Sequence, residues 1–205
     1  MLIWKKNNTE TSEDCDEQQV VSIIKSATDT TTQGNKIYFY SDVSKESVLS
    51  LNKQIDELSK QMKIIQLTYN TPIPPPIELH ICSDGGDVFA SMASVDKIMN
   101  NDIPIHTYCE GVVASAATLL SVVGAKRFIS KSSCMLIHQV SSGLWGNYME
   151  FKDEIKNLDL IMTLIKSTYL KKSKYKAKEL DKILAHDLFF SAEECLKHGL
   201  VDVIL

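Results

Sequence analysis

The chain has 205 residues, 22 Lys+Arg against 26 Asp+Glu, and 44% hydrophobic residues, enough to bury a sizeable core in one domain with a tail. A formal charge of -4 with no long basic run gives no electrostatic footprint for nucleic acid, and the cluster from Lys171 to Lys178, broken by Ser, Tyr and Ala, reads as a solvated helix end. The opening Met1-Leu2-Ile3-Trp4 is too short for a signal-peptide core, and the longest apolar stretch, Gly111 to Gly124, is broken by Ser and Thr, so neither secretion nor a membrane span is expected. Five cysteines (Cys15, Cys82, Cys109, Cys134, Cys195) are odd in number and scattered, with no C-x-x-C and no histidine at ligand spacing. They read as reduced thiols of a cytoplasm-like compartment, and no metal site is expected.

In chain order, residues 5 to 19 are polar and acidic, and Ser26 to Asn35 is rich in Thr, Ser, Asp and Gly without an apolar period. With only Val20, Val21, Ile23 and Ile24 to bury, residues 1–35 are expected to form a mobile arm that orders against a partner, ahead of a domain spanning 36–205. Ile37-Tyr38-Phe39-Tyr40 predicts a strand, and Val48, Leu51, Ile55, Leu58 and Met62 mark one face of a helix. The run Thr71 to Pro76 is a stiff connection into a strand at Ile77 to Ile81. Ser83-Asp84-Gly85-Gly86 then turns the chain into a helix with Val88, Met92, Val95 and Met99 on its apolar stripe.

A strand at Ile103 to Cys109 leads through Gly111 into a helix of small and apolar residues, Ser115 to Val123, and another strand covers Met135 to His138. Phe151, Ile155, Leu158, Met162, Ile165 and Tyr169 form a coiled-coil-like seam on a long helix expected to project from the body, within a segment of about 140–172. Ser191-Ala192-Glu193-Glu194 is a capping box, and Gly199 ends that helix before a strand at Leu200 to Ile204. Strands alternating with helices make the fold class α/β.

Strand ends that turn through glycine into helix amino termini create sites with free N–H groups, here at Gly85-Gly86 and at Gly111 to Ser115. Neither fits G-x-G-x-x-G, and no G-x-x-x-x-G-K-[ST] occurs, so the chain has no ATPase engine of its own and no cofactor is expected. Among the histidines (His80, His106, His138, His186, His198), His138 ends an apolar strand, where an imidazole is aimed into a strand-end crevice. Asp187 precedes Leu188-Phe189-Phe190. Ser115, His138 and Asp187 in that order suit a nucleophile, a base and an orienting carboxylate, although a lone serine there is more often a small residue that lets helices approach. The surroundings of Ser115 are not G-x-S-x-G, which argues against the strained elbow of an α/β-hydrolase. Glycine at 86 lets backbone approach a substrate with no Cβ in the way.

His80-Ile81-Cys82-Ser83-Asp84-Gly85-Gly86-Asp87-Val88, Glu110-Gly111-Val112-Val113-Ala114-Ser115-Ala116-Ala117, Met135-Leu136-Ile137-His138-Gln139, Asp187 to Glu194 and His198-Gly199-Leu200-Val201-Asp202 resemble, in order, the signatures of the ClpP serine peptidases. The resemblance runs from about Lys36 to the last residue. It implies a crotonase/ClpP-type α/β fold of repeated β-α units with a projecting handle helix, and hydrolysis of peptide bonds in unfolded polypeptides. It further implies Ser115 as nucleophile, His138 as general base, Asp187 as its carboxylate, and the N–H groups of Gly86 and Ala116 as the oxyanion hole. Two stacked heptameric rings are implied, with rings mixed with a second ClpP-like subunit left open, and an AAA+ unfoldase of ClpX, ClpA or ClpC type that uses the ATP. The setting would be cytoplasmic, whether in a bacterium, a phage-infected cell or a plastid stroma.

The chain departs from the family pattern at Asp84, where proline is usual, at Ala116-Ala117, where methionine and glycine are usual, and at Val140 to Gly146. Glu78 and His80 stand where the family often places tyrosines of its unfoldase groove. Two other readings stay open: a non-catalytic ring subunit, and another crotonase-fold enzyme, such as a Ser/Lys peptidase or an acyl-CoA hydratase, with Lys126 as a conceivable base. Ser94 and Lys97 fit S-x-x-K, and the position of Ser94 inside a helix makes that match chance.

Overall fold

A hairpin opens the described part of the chain, residues 30–205 of the computed structural model. Strand β1 (Thr30–Gln33) turns at Gly34, whose φ of 63° suits glycine, and pairs antiparallel with β2 (Lys36–Phe39). The end of the expected arm is thus part of the sheet, because its threonines fit a strand once β2 offers them backbone partners. Residues 1–29, and the rest of the expected arm with them, lie outside the described residues.

Helix α1 (Lys45–Tyr69) buries Val48, Leu51, Ile55, Leu58 and Met62, the stripe its periodicity predicts. The proline run then enters β3 (Ile77–Ser83). Helix α2 (Val88–Met99) starts at Asp87, whose Oδ1 accepts the N–H groups of Phe89 and Ala90. Its buried face is Ala90, Ser91, Ser94, Val95 and Ile98, shifted from the predicted stripe, of which only Val95 is buried. Small residues win that face because they let α2 lie close to the next helix: Ser91 Oγ donates to the Ala116 carbonyl at 2.7 Å.

Strand β4 (Ile105–Ala114) runs past its predicted end at Cys109, because Gly111 continues the strand at φ 62° where a turn was expected. On either side of that glycine β4 changes partner. His106 to Cys109 pair with β5 (Lys126–Ile129), and Val112 to Ala114 with β6 (Cys134–Leu136). All seven residues of α3 (Ala116–Val122) are buried. The chain continues through α4 (Tyr148–Lys172), α5 (Ala177–Leu184), β7 (Phe189–Ser191), α6 (Ala192–His198) and β8 (Val203–Ile204). The capping box at Ser191 and Glu194 and the left-handed Gly199 form as read from the sequence. The sheet order is β1-β2-β3-β4-β5-β8, parallel from β2 onward, with β6 and β7 branching from the end of β4. The α/β class and its repeated strand-helix units are those expected. No helix among the described residues is long and apolar enough to cross a membrane.

The seam on α4 divides in two. Ile165 and Tyr169 are buried against the body, and Leu158 and Met162 pack on the same core, while Phe151 and Ile155 are exposed on the other half of the helix.

Candidate active site

Ser115 joins β4 to α3 with φ 53° and ψ −127°, a backbone conformation that costs a non-glycine residue about 1–3 kcal/mol. A strained strand-to-helix turn is therefore present without G-x-S-x-G. Its room comes from across the sheet: a Cβ on Gly85 would lie 2.7 Å from Ser115 Cβ and 2.8 Å from the Ala114 carbonyl oxygen. The strain is held by the Ser115 N–H donating to the Leu136 carbonyl at 2.8 Å, which ties the turn to β6.

The imidazole arrives from β6. Leu136 lies opposite Phe189 in the antiparallel β6–β7 ladder, and the same register carried two residues further sets His138 opposite Asp187. His138 Nε2 is 2.7 Å from Ser115 Oγ, and His138 Nδ1 is 3.2 Å from Asp187 Oδ1. A proton on Nδ1, shared with the carboxylate, leaves Nε2 free to accept the serine proton. The Asp187 side chain is 75% exposed and that of His138 22%, so the carboxylate stands at the mouth of the site and the imidazole within it.

Two residues that line the same cleft, Gly86 and Ala116, bring backbone N–H groups to it. Gly86 bridges to Val43 through the Val43 N–H donating to the Gly85 carbonyl and the Asp87 N–H donating to the Val43 carbonyl, both at 2.7 Å, so the bridge leaves the Gly86 N–H unused. Gly86 has φ 140°, and a Cβ there would meet the Val43 carbonyl oxygen at 2.3 Å, so only glycine fits. Ala116 opens α3, and its N–H has no intrahelical acceptor. Gly86, Ser115, Ala116, Leu119, His138 and Tyr169 line one cleft of about 260 Å³.

The alternative bases lie elsewhere. Ser94 is buried and donates to Asn52 Oδ1 at 2.7 Å, and Lys97 pairs with Asp56 at 2.5 Å, so both belong to the α1–α2 contact. Lys126 pairs in the sheet with His106, most of the length of β4 away from Ser115, and lies over the Phe128 ring. Among the described residues no cluster of three His, Cys, Asp or Glu is placed to hold a metal. The cysteines Cys82, Cys109, Cys134 and Cys195 are free, and burial pushes the thiols of Cys109 and Cys195 up to about 12.

Away from this cleft, Tyr38, His80, Tyr108 and Phe128 stand in register across β2, β3, β4 and β5 and stack with centroids 4.8, 4.7 and 4.6 Å apart. His80 is only 7% exposed, with Nδ1 2.9 Å from Glu110 Oε1, and its ring continues an aromatic ladder. Glu78 pairs with Lys36 at 3.2 Å. The ladder was missed because its members are far apart in sequence and meet only through strand register.

A serine on a strained turn, an imidazole on its hydroxyl and a carboxylate behind it, gathered where parallel strands end, define an α/β protein built for chemistry at the carboxyl edge of its sheet. Residues 31–205 match the family model described as Clp protease, and the chain belongs to the Clp protease family. It is 27% identical over 192 residues to the ATP-dependent Clp protease proteolytic subunit of Deinococcus radiodurans, an alignment covering 91% of this chain and 94% of that protein. The family named by the five motifs is thus the one found, and membership supports a peptidase of the Clp proteolytic-subunit kind.

Proposed function

We propose that this chain is a serine endopeptidase that cuts unfolded polypeptides inside a ring-shaped chamber fed by an ATP-dependent Clp unfoldase. The observation that carries the reading is the unbroken contact from Asp187 through His138 to Ser115 Oγ beside the N–H groups of Gly86 and Ala116. Ser115 Oγ attacks the scissile carbonyl carbon while its proton passes to His138 Nε2, and the carbonyl oxygen, now an oxyanion, is met by the Gly86 and Ala116 N–H groups. The C–N bond then breaks, and His138 returns the proton to the departing amine. Water, giving a proton to the same imidazole, then attacks the acyl carbon, and as its bond to Ser115 Oγ breaks His138 returns that proton to the serine. Asp187 fixes the imidazole tautomer and stabilises its charged form.

Assembly into paired heptameric rings is supported by the exposed apolar residues Tyr148, Met149, Phe151, Ile155 and Leu160 on α4, an apolar surface that a partner would cover. Docking of an unfoldase loop is supported by the aromatic ladder. Ser115→Ala and His138→Ala should each lower peptide hydrolysis by roughly 10⁴- to 10⁶-fold with the fold intact, since triad members act as a unit. Asp187→Asn should be milder, because water reaches that carboxylate. A fluorophosphonate should label wild type at Ser115 and leave Ser115→Ala unlabelled. More than a few per cent of wild-type turnover in Ser115→Ala would refute the nucleophile assignment.

A further inference from the structure

The Ser115–Ala116 peptide has partners that the triad does not use. Its carbonyl accepts the Thr118 N–H at 3.0 Å and Thr118 Oγ1–H at 2.5 Å. Thr118 Oγ1 also lies 2.5 Å from the Tyr169 hydroxyl. A threonine hydroxyl carries one proton, and Thr118 gives its own to the Ser115 carbonyl, so the Tyr169 hydroxyl is the donor to Thr118. The chain therefore has a polarity, from Tyr169 on α4, through Thr118 on α3, to the Ser115 carbonyl. Thr118 and Tyr169 are 0% and 2% exposed, which leaves little water to compete. Burial holds the Tyr169 phenol above its ordinary value, which keeps its donor proton in place.

A trans peptide is planar, and its C=O and N–H point in opposite directions. Drawing the Ser115 carbonyl forward along α3 aims the Ala116 N–H backward, into the cleft. A carbonyl that accepts two hydrogen bonds also makes the N–H of the same peptide a stronger donor. The strained torsions of Ser115 would relax if this plane rotated, and rotation would carry the N–H away from the cleft. Resting on the serine-peptidase reading above, we propose that Thr118 and Tyr169 are positioning residues whose hydroxyl chain aims the Ala116 N–H as an oxyanion donor.

The test compares Thr118→Val and Tyr169→Phe, which remove a hydroxyl and keep shape, with Thr118→Ser, which keeps the hydroxyl. Turnover of a small fluorogenic peptide is read as kcat and KM, alongside the affinity of a peptide boronate, whose tetrahedral adduct occupies the oxyanion position. Thr118→Val and Tyr169→Phe should each lower kcat about tenfold and weaken boronate binding by about the same factor, with KM little changed. Thr118→Ser should recover most of what Thr118→Val loses, and the double variant should be no worse than Thr118→Val alone, because both act on one chain. Wild-type kcat and boronate affinity in Thr118→Val, or a loss in Thr118→Ser as deep as in Thr118→Val, would overturn the inference and leave the triad standing. If Thr118→Val fails to fold, Tyr169→Phe against Thr118→Ser decides by the same readings. A wild-type protein that neither turns over peptide nor takes boronate removes the triad reading, and this inference with it.

Discussion

Arg127 holds three separate parts of the chain with one guanidinium. Its Nε and Nη2 donate to the two Asp202 oxygens at 3.0 and 2.5 Å, and its Nη1 donates to the carbonyls of Lys172 and Gly199, at the ends of α4 and α6. The hydrogen bond from Arg127 is the main reason the Asp202 carboxyl sits below its ordinary value of 3.8. With the folded value below the unfolded one, the pair's contribution is complete above the unfolded value and is lost as pH falls through the folded one. Denaturation midpoints of wild type should therefore fall more steeply below about pH 4 than those of Asp202→Asn, which starts lower at neutral pH. Equal slopes in the two proteins would show that the carbonyl contacts alone hold the clasp. From the sequence, Asp202 was visible as part of a motif and Arg127 was not, since its partners lie 45 and 75 residues away. The same limit hid the Ser115 elbow: the glycine that makes room for it is Gly85, on another strand's turn, and no local pattern around Ser115 records that.

At the scale of elements, apolar spacing located the helices better than it located their partners. The stripe on α1 is buried as read, because the helix packs on the first strands and on α2 as far as Met62, while Ile64, Leu67 and Tyr69 beyond it are exposed. On α2 the stripe is shifted, since close approach to α3 favours Ala and Ser over Met. Strand β5, Lys126–Ile129, went unread because Lys126 and Arg127 disguise it, although the backbone there completes the sheet between β4 and β8. For α4 the division of its seam changes what assembly depends on. Leu158 and Met162 serve the protein's own body, and Met162 Sδ accepts the Val140 N–H at 3.3 Å beside the cleft. Phe151 and Ile155 are 45% and 59% exposed, and apolar surface left in water costs about 25 cal/mol per Å². In the paired rings proposed above, Phe151→Glu with Ile155→Glu should give single rings or smaller species at unchanged subunit stability. Leu158→Glu with Met162→Glu should lower the melting temperature and peptide turnover as well. Sedimentation and thermal melts of the two double variants distinguish these outcomes, and an unchanged mass in the first would remove α4 from the ring contact.

For the whole molecule, the question is whether a ring of this chain alone engages an unfoldase. The ladder Tyr38, His80, Tyr108 and Phe128 offers apolar faces, but its edge carries carboxylates: Glu110 is bonded by His80 and by the Tyr40 hydroxyl, and Glu78 by Lys36. A docking loop that covered Glu78 would have to strip water from it or part it from Lys36, and either weakens binding. His80 adds little to that penalty, since it stacks between two tyrosines and is already buried. Homomeric rings are therefore expected to degrade a tagged folded substrate slowly with a bacterial ClpX-type unfoldase and ATP, while cleaving small peptides at full rate. Glu78→Tyr should raise ATP-dependent degradation several-fold without changing peptide cleavage, and His80→Tyr, which keeps the ladder, should change it much less. Vigorous degradation by the unmodified ring would show that the paired carboxylates are tolerated in the docked state. An equal gain from both variants would instead mean that the His80 ring, held between the Glu78 and Glu110 carboxylates, hinders docking as much as Glu78 does.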